Sequence, residues 1–121
     1  MAKNMEITLL FDIYGDMLTE KQQDMIELYY DNDLSLAEIA ENEGITRQGV
    51  RDSIKRAENQ LTEMEERLGL VRRFREMREQ FDAIKDSANA IAAINDRVGY
   101  SREIGERARQ IAQLADKLAD M

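Results

Sequence analysis

The 121-residue sequence predicts an all-α protein, a helix-turn-helix head followed by a long, coiled-coil-like helical extension. Three observations carry the all-α part. The chain has no proline and is rich in Ala, Glu, Leu, Ile, Met, Arg and Gln, which favour helix. No segment alternates β-branched and polar residues as a half-buried strand does. Apolar side chains recur three or four positions apart along most of the length.

The first helix is expected from about Met5 to Leu18, with Ile7, Leu10, Phe11, Tyr14 and Leu18 at helical spacing. Thr19 then opens a second helix. Its hydroxyl can accept the N–H of Gln22, whose side chain reaches back, as in a capping box. Met25, Ile26, Leu28, Tyr29 and Tyr30 supply the buried side, and the turn-favouring run Asp31-Asn32-Asp33 ends it. Ser35 and Glu38 form a second capping box ahead of Leu36, Ile39 and Ala40. Gly44 follows the last turn, where a left-handed residue fits. Thr46 is placed to cap the next helix, in which Val50, Ile54, Ala57 and Leu61 repeat every three or four residues.

Ser35 to about Arg56 therefore has the parts of a helix-turn-helix. Ala40 permits close helix approach, Gly44 makes the turn, and Ile45, Val50 and Ile54 share a core. An ordinary αα-corner packed only for stability is the alternative.

Beyond this head, Leu61, Met64, Leu68, Val71, Phe74, Met77, Phe81, Ile84, Ala88, Ile91 and Ile94 form a narrow stripe close to a coiled-coil seam. Three-residue steps from Leu68 to Met77 depart from a heptad, and Gly69 weakens the helix at the same place. After residues 95–100, Ser101 can cap a last helix bearing Ile104, Ala108, Ile111, Leu114, Ala115 and Leu118. This apolar surface exceeds what the head can cover, so a homodimer is expected, with an intramolecular helical hairpin as the alternative. The domain division is 1–61 for the helix-turn-helix and 62–121 for the extension, a dimerisation or partner-binding region.

Charge is spread unevenly. The net −8 arises from 17 basic and 25 acidic side chains, and an acidic protein should not bind bulk nucleic acid through its overall charge. Residues 1–43 carry 2 basic and 11 acidic side chains, residues 44–78 carry 9 and 6, and residues 79–121 carry 6 and 8. The middle is locally basic, and it contains the second helix of the helix-turn-helix. There Arg47, Gln48, Arg51, Asp52, Lys55 and Arg56 alternate with the core positions and form the candidate nucleic-acid-binding face. Arg47 and Gln48 lie in the first turn, where a recognition helix meets base edges, and both types can make bidentate base contacts. Lys55 and Arg56 suit phosphate contacts. Read one residue at a time, the same charges are an ordinary solvated helix face.

Several blocks resemble the YlxM family of small Gram-positive proteins in order and spacing. They are Leu9-Leu10-Phe11-Asp12-Ile13-Tyr14, Leu18-Thr19-Glu20-Lys21-Gln22, Glu27-Leu28-Tyr29-Tyr30, Leu34-Ser35-Leu36-Ala37-Glu38-Ile39-Ala40, and Arg47-Gln48 with Asp52, Ile54, Lys55 and Arg56. The resemblance covers about residues 5–70. It implies a helix-turn-helix similar to region 4 of bacterial sigma factors. It also implies a regulatory role in the signal recognition particle pathway, where the family's genes neighbour those of the particle's GTPase and receptor. DNA, the particle RNA, the particle protein and its receptor are the partners it suggests. Gly49, Arg51 and Ser53 depart from the family's alanine, tyrosine and asparagine, so no contact is carried over at position 51.

Catalysis and cofactors are not expected. The chain has no His and no Cys, which removes the imidazole base, the thiolate nucleophile, the usual zinc ligands and any disulfide. Asp12 with Asp16 and Glu63 with Glu66 share helix faces, but such pairs are ordinary in a chain that is 35% charged. No Gly-rich phosphate loop accompanies them. The apolar stretches are too short to span a bilayer, and the first residues lack a signal peptide's apolar core. A cytoplasmic protein without membrane insertion is the expectation. A protein-binding adaptor that does not touch nucleic acid is the competing functional class, kept open by the acidic first third.

Overall fold

The computed structural model describes residues 1–120, and among them every regular element is helical. Two compact units divide the chain, Met1–Val71 and Arg72–Met121. The first contains α1 (Glu6–Tyr14), a 3₁₀ turn (Gly15–Met17), α2 (Glu20–Ile26) widening into a π turn (Glu27–Asp31), α3 (Leu36–Glu43) and α4 (Arg47–Leu68). Next, α5 (Leu70–Val98) begins in the first unit and runs into the second, where α6 (Arg102–Ala119) follows.

Local chemistry sets the boundaries. Both capping boxes form: Thr19 accepts from the Gln22 N–H at 3.2 Å, and Ser35 accepts from the Glu38 N–H at 3.1 Å. Gln22 and Glu38 return the bond to the cap N–H groups. The first helix stops at Tyr14 rather than Leu18. The chain tightens there because Leu18 and the capping Thr19 both take extended backbone, which an α-helix cannot supply. Leu18 is still buried. Asp33 takes a left-handed conformation (φ 57°) that Asp tolerates, and this completes the break before α3.

The long helix α4 is the spine of the first unit. Val50, Ile54, Ala57 and Leu61 are fully buried along one side of it, against α1, α2 and α3. Ile7, Met25, Ile26 and Ile39 meet them from the other helices, each no more than 1% exposed. Because α4 spends this side on the core, its opposite side faces water, and that is what positions the candidate site.

Gly69 separates α4 from α5 with a left-handed φ of 63°, so the stripe predicted to weaken there is broken outright. The first N–H groups of α5 have no helical partner. Tyr14 and Glu65 supply one. Leu70 N–H donates to the Tyr14 hydroxyl at 3.0 Å, Val71 N–H donates to Glu65 Oε1 at 3.0 Å, and Tyr14 donates to the same carboxylate at 2.7 Å. Burial pushes the Tyr14 phenol up, with the Glu65 carboxylate adding to it. Burial and the hydrogen bond to Glu58 push Tyr30 up to about 12.

Unfolded tyrosine titrates near pH ~10. The folded head therefore favours both phenols in the protonated state. That stability is intact below pH ~10 and is lost as pH rises through the folded values. Base titration followed by circular dichroism is expected to show unfolding that steepens above pH ~10. Tyr30→Phe, which removes one ionisation, should flatten that limb, and an unchanged limb would count against the assignment.

The second unit is an antiparallel helical hairpin, the alternative weighed above for the extension. Lys85 pairs with Asp116 at 2.8 Å and Arg78 donates to the Ala119 carbonyl at 3.0 Å. The Asn95 side chain closes the turn, donating to the Ser101 carbonyl and accepting from its N–H, both at 2.9 Å. Helix α5 runs on to Val98, past the Asn95 at which the break was expected. Ser101 caps α6 as expected, accepting from Ile104. Ala88, Ala108 and Ala115 are the buried apolar residues among those described in this unit.

Candidate nucleic-acid interface

The α3–α4 corner is closed by Gly44. Its left-handed backbone (φ 70°) and the return of the Ile45 N–H to the Ala40 carbonyl at 3.1 Å turn the chain through the C-terminal cap of α3. Thr46 then starts α4 by accepting from the Gly49 N–H at 3.0 Å. With Ile39, Val50 and Ile54 buried beneath it, the corner is fixed in rotation, and the residues between the core positions must point outward.

Arg47, Gln48, Arg51, Asp52, Lys55 and Arg56 are all exposed on α4. Among the described residues, Arg47, Arg51, Lys55 and Arg56 take part in no ion pair, whereas Lys3, Arg67, Lys85 and Arg102 each do. Four uncompensated cations on three turns of helix form a positive surface in a chain whose first third is strongly acidic. Asp52 does not share the role of its neighbours. It accepts from the Gln48 side-chain amide at 2.9 Å, one turn back. That bond orients the carboxamide and leaves its second N–H and its oxygen free, the pair that reads adenine.

One further cation lies beside this face. Thr19, Lys21, Gln22, Met25, Ile45, Gly49, Ser53 and Arg56 line an open cleft of about 360 Å³ between the start of α2 and the first half of α4. Lys21 and Arg56 put two positive charges at one cleft, with the Ser53 hydroxyl as a further donor. Sequence spacing could not join Lys21 to Arg56, since 35 residues separate them. The only hint was that Lys21 is one of two basic residues in the first 43.

Gly49 costs α4 helix propensity, yet a Cβ there would sit 3.2 Å from Thr46 Oγ1. The Thr46 hydroxyl must give by a few tenths of an ångström, and side chains do occupy the same position after a cap, at Gln22 following Thr19 and at Glu38 following Ser35. Gly49→Ala is expected to stabilise the head by about 0.5–1 kcal/mol. Thermal melting that shows a loss instead would mean that the Thr46 cap is displaced.

A short helix, a left-handed glycine turn and a long helix with an unpaired basic outer side define a helix-turn-helix protein. The chain belongs to the YlxM/p13-like family: the family model described as "Putative helix-turn-helix protein, YlxM / p13 like" matches residues 1–98. The match extends well beyond the blocks that carried the resemblance and ends with α5. The chain is 45% identical over 108 residues to UPF0122 protein Teth514_1714 of Thermoanaerobacter sp. strain X514, covering 89% of this chain and 92% of the relative. It is 43% identical over 89 residues to UPF0122 protein YlxM of Bacillus subtilis, covering 74% and 81%. A UPF0122 protein of Desulforamulus reducens is 61% identical over 69 residues, covering 57% and 59%.

Proposed function

We propose that the chain is a regulatory nucleic-acid-binding protein that works by binding, not by catalysis, through the outer side of α4. The observation that carries this reading is the set of four exposed cations, Arg47, Arg51, Lys55 and Arg56, left without carboxylate partners. Arg47 and Gln48 sit in the first turn of α4, where base edges are read. Arg51, Lys55 and Arg56, with Lys21 across the cleft, contact phosphates. Asp52 acts through Gln48. DNA and the signal recognition particle RNA are the two candidate ligands, and the pathway assignment rests on the family resemblance. The particle protein and its receptor are the protein partners that resemblance suggests, in the cytoplasm. Among the described residues no helix is long and apolar enough to cross a membrane.

The acidic first third favours a second reading, an adaptor docking a basic protein, because 11 carboxylates against 2 cations in residues 1–43 repel phosphate on approach. Pull-down of the full chain from lysate, with and without nuclease, separates the two. Nucleic-acid binding predicts recovered DNA or RNA and salt-sensitive retardation of it. The adaptor predicts nuclease-resistant capture of a basic protein and no retardation. Recovery of neither particle RNA nor particle protein removes the pathway assignment.

A further inference from the structure

The hairpin of the second unit divides its apolar residues by size. Its contact line is made of small residues, with Ala88 and Asn95 on α5 and Ala108 and Ala115 on α6, all buried and each pair seven positions apart. Large residues follow the same period but stay in water: Ile84 and Ile91 are 46% exposed, Ile104 48% and Ile111 44%. On both helices the large residue stands four positions before the small one. Antiparallel helices of a hairpin are related by a two-fold axis perpendicular to their plane. An identical offset therefore puts both large rows on one face. Val98 and Leu118 extend the rows by a further heptad, at 80% and 45% exposure.

These side chains with their neighbours Met77 and Leu114 leave on the order of 700 Å² of apolar surface, taking a large apolar side chain at roughly 180 Å². That exceeds the roughly 300–600 Å² of the largest patch on an ordinary monomer. It approaches the roughly 800 Å² per partner of a stable interface. We propose that this face pairs with the same face of a second copy, closing a four-helix bundle.

Two features choose a second copy over other occupants. A seven-residue repeat is the period at which helices interdigitate with other helices in bundles. The hairpin is also nearly neutral, with ten basic and nine acidic side chains in Arg72–Met121. Two copies therefore carry little net charge to repel each other. Pairing would join two α4 helices in one particle and raise avidity for a nucleic acid.

Sedimentation of the full chain at tens of micromolar is expected to give twice its 14.0 kDa mass. Ile91→Glu with Ile111→Glu should return it to the monomer mass, raising the dissociation constant at least about a hundredfold, because four charges enter the bundle. Ala93→Glu with Gln113→Glu adds the same charge on the far side of each helix, five positions after the small residues, and should leave the dimer intact. A monomeric parent chain overturns the proposal, including one that instead binds vesicles or another protein. So does a dimer that survives the first pair of changes with its helix content unaltered. If the first pair unfolds the hairpin, cross-linking decides, since the chain has no cysteine of its own. Ile111→Cys, midway along α6, should link to a second copy through a short bismaleimide. Linking by Gln113→Cys and not by Ile111→Cys would overturn the pairing.

Discussion

Replacing Arg47, Arg51, Lys55 and Arg56 together by alanine is expected to lower affinity for nucleic acid at least about a thousandfold at moderate salt. Each phosphate neutralised contributes about 0.9 to the slope of log affinity against log salt on duplex DNA, and about 0.7 on a single strand. Singly, Lys55→Ala should weaken binding to every sequence alike and reduce that slope by about one. Arg47→Ala should cost about 1–3 kcal/mol and relax discrimination at one position. Arg67→Ala is the internal control, since this arginine lies on the same helix but is paired with Glu63 at 2.9 Å. Asp52→Ala should raise affinity, by removing a negative charge from the basic side, and lower discrimination, by releasing the Gln48 amide. Anisotropy titrations across a salt series measure all of these. Equal losses for Arg67→Ala and Lys55→Ala would mean that the outer side of α4 holds no special place in binding.

The elements were legible because they are set by neighbours in sequence. Thr19 with Gln22, Ser35 with Glu38, and Gly44 act within one turn of helix, as does the repeat of Val50, Ile54, Ala57 and Leu61 that aims α4. The exposed set on α4 followed from that repeat, since the residues between core positions have nowhere else to point. What stayed hidden depends on groups far apart in the chain. Tyr14 and Glu65 are 51 residues apart, yet they cap the helix that Gly69 begins. Lys21 reaches the cleft of Arg56 only because α2 packs on α4. The stripe from Leu61 to Ile94 keeps to steps of three or four residues, but its two parts meet different surroundings: Leu61 is fully buried in the head and Ile91 is 46% exposed on the hairpin. Periodicity states that a side of a helix is apolar. It does not state what covers it.

Ile54→Ala should be the most damaging single change to the head. The side chain is fully buried where α4 meets the other helices, and its removal leaves a cavity as well as losing transfer energy. Such a substitution costs about 2–5 kcal/mol, while a unit of this size holds only on the order of 5 kcal/mol in all. Ile54→Val removes one methylene and should cost about 0.5–1.5 kcal/mol. At about 4–8 °C per kcal/mol the alanine variant should melt at least about 10 °C lower. Near-ultraviolet circular dichroism reads the head selectively, because Tyr14, Tyr29 and Tyr30 lie in it and only Tyr100 in the hairpin unit. Nucleic-acid affinity should fall in step with the folded fraction, since Ile54 lies between Arg51 and Lys55 and its burial sets the rotation of α4. A variant that melts within about 2 °C of the parent chain would show that α4 does not depend on this contact and that burial of Ile54 does not fix the rotation of its basic side.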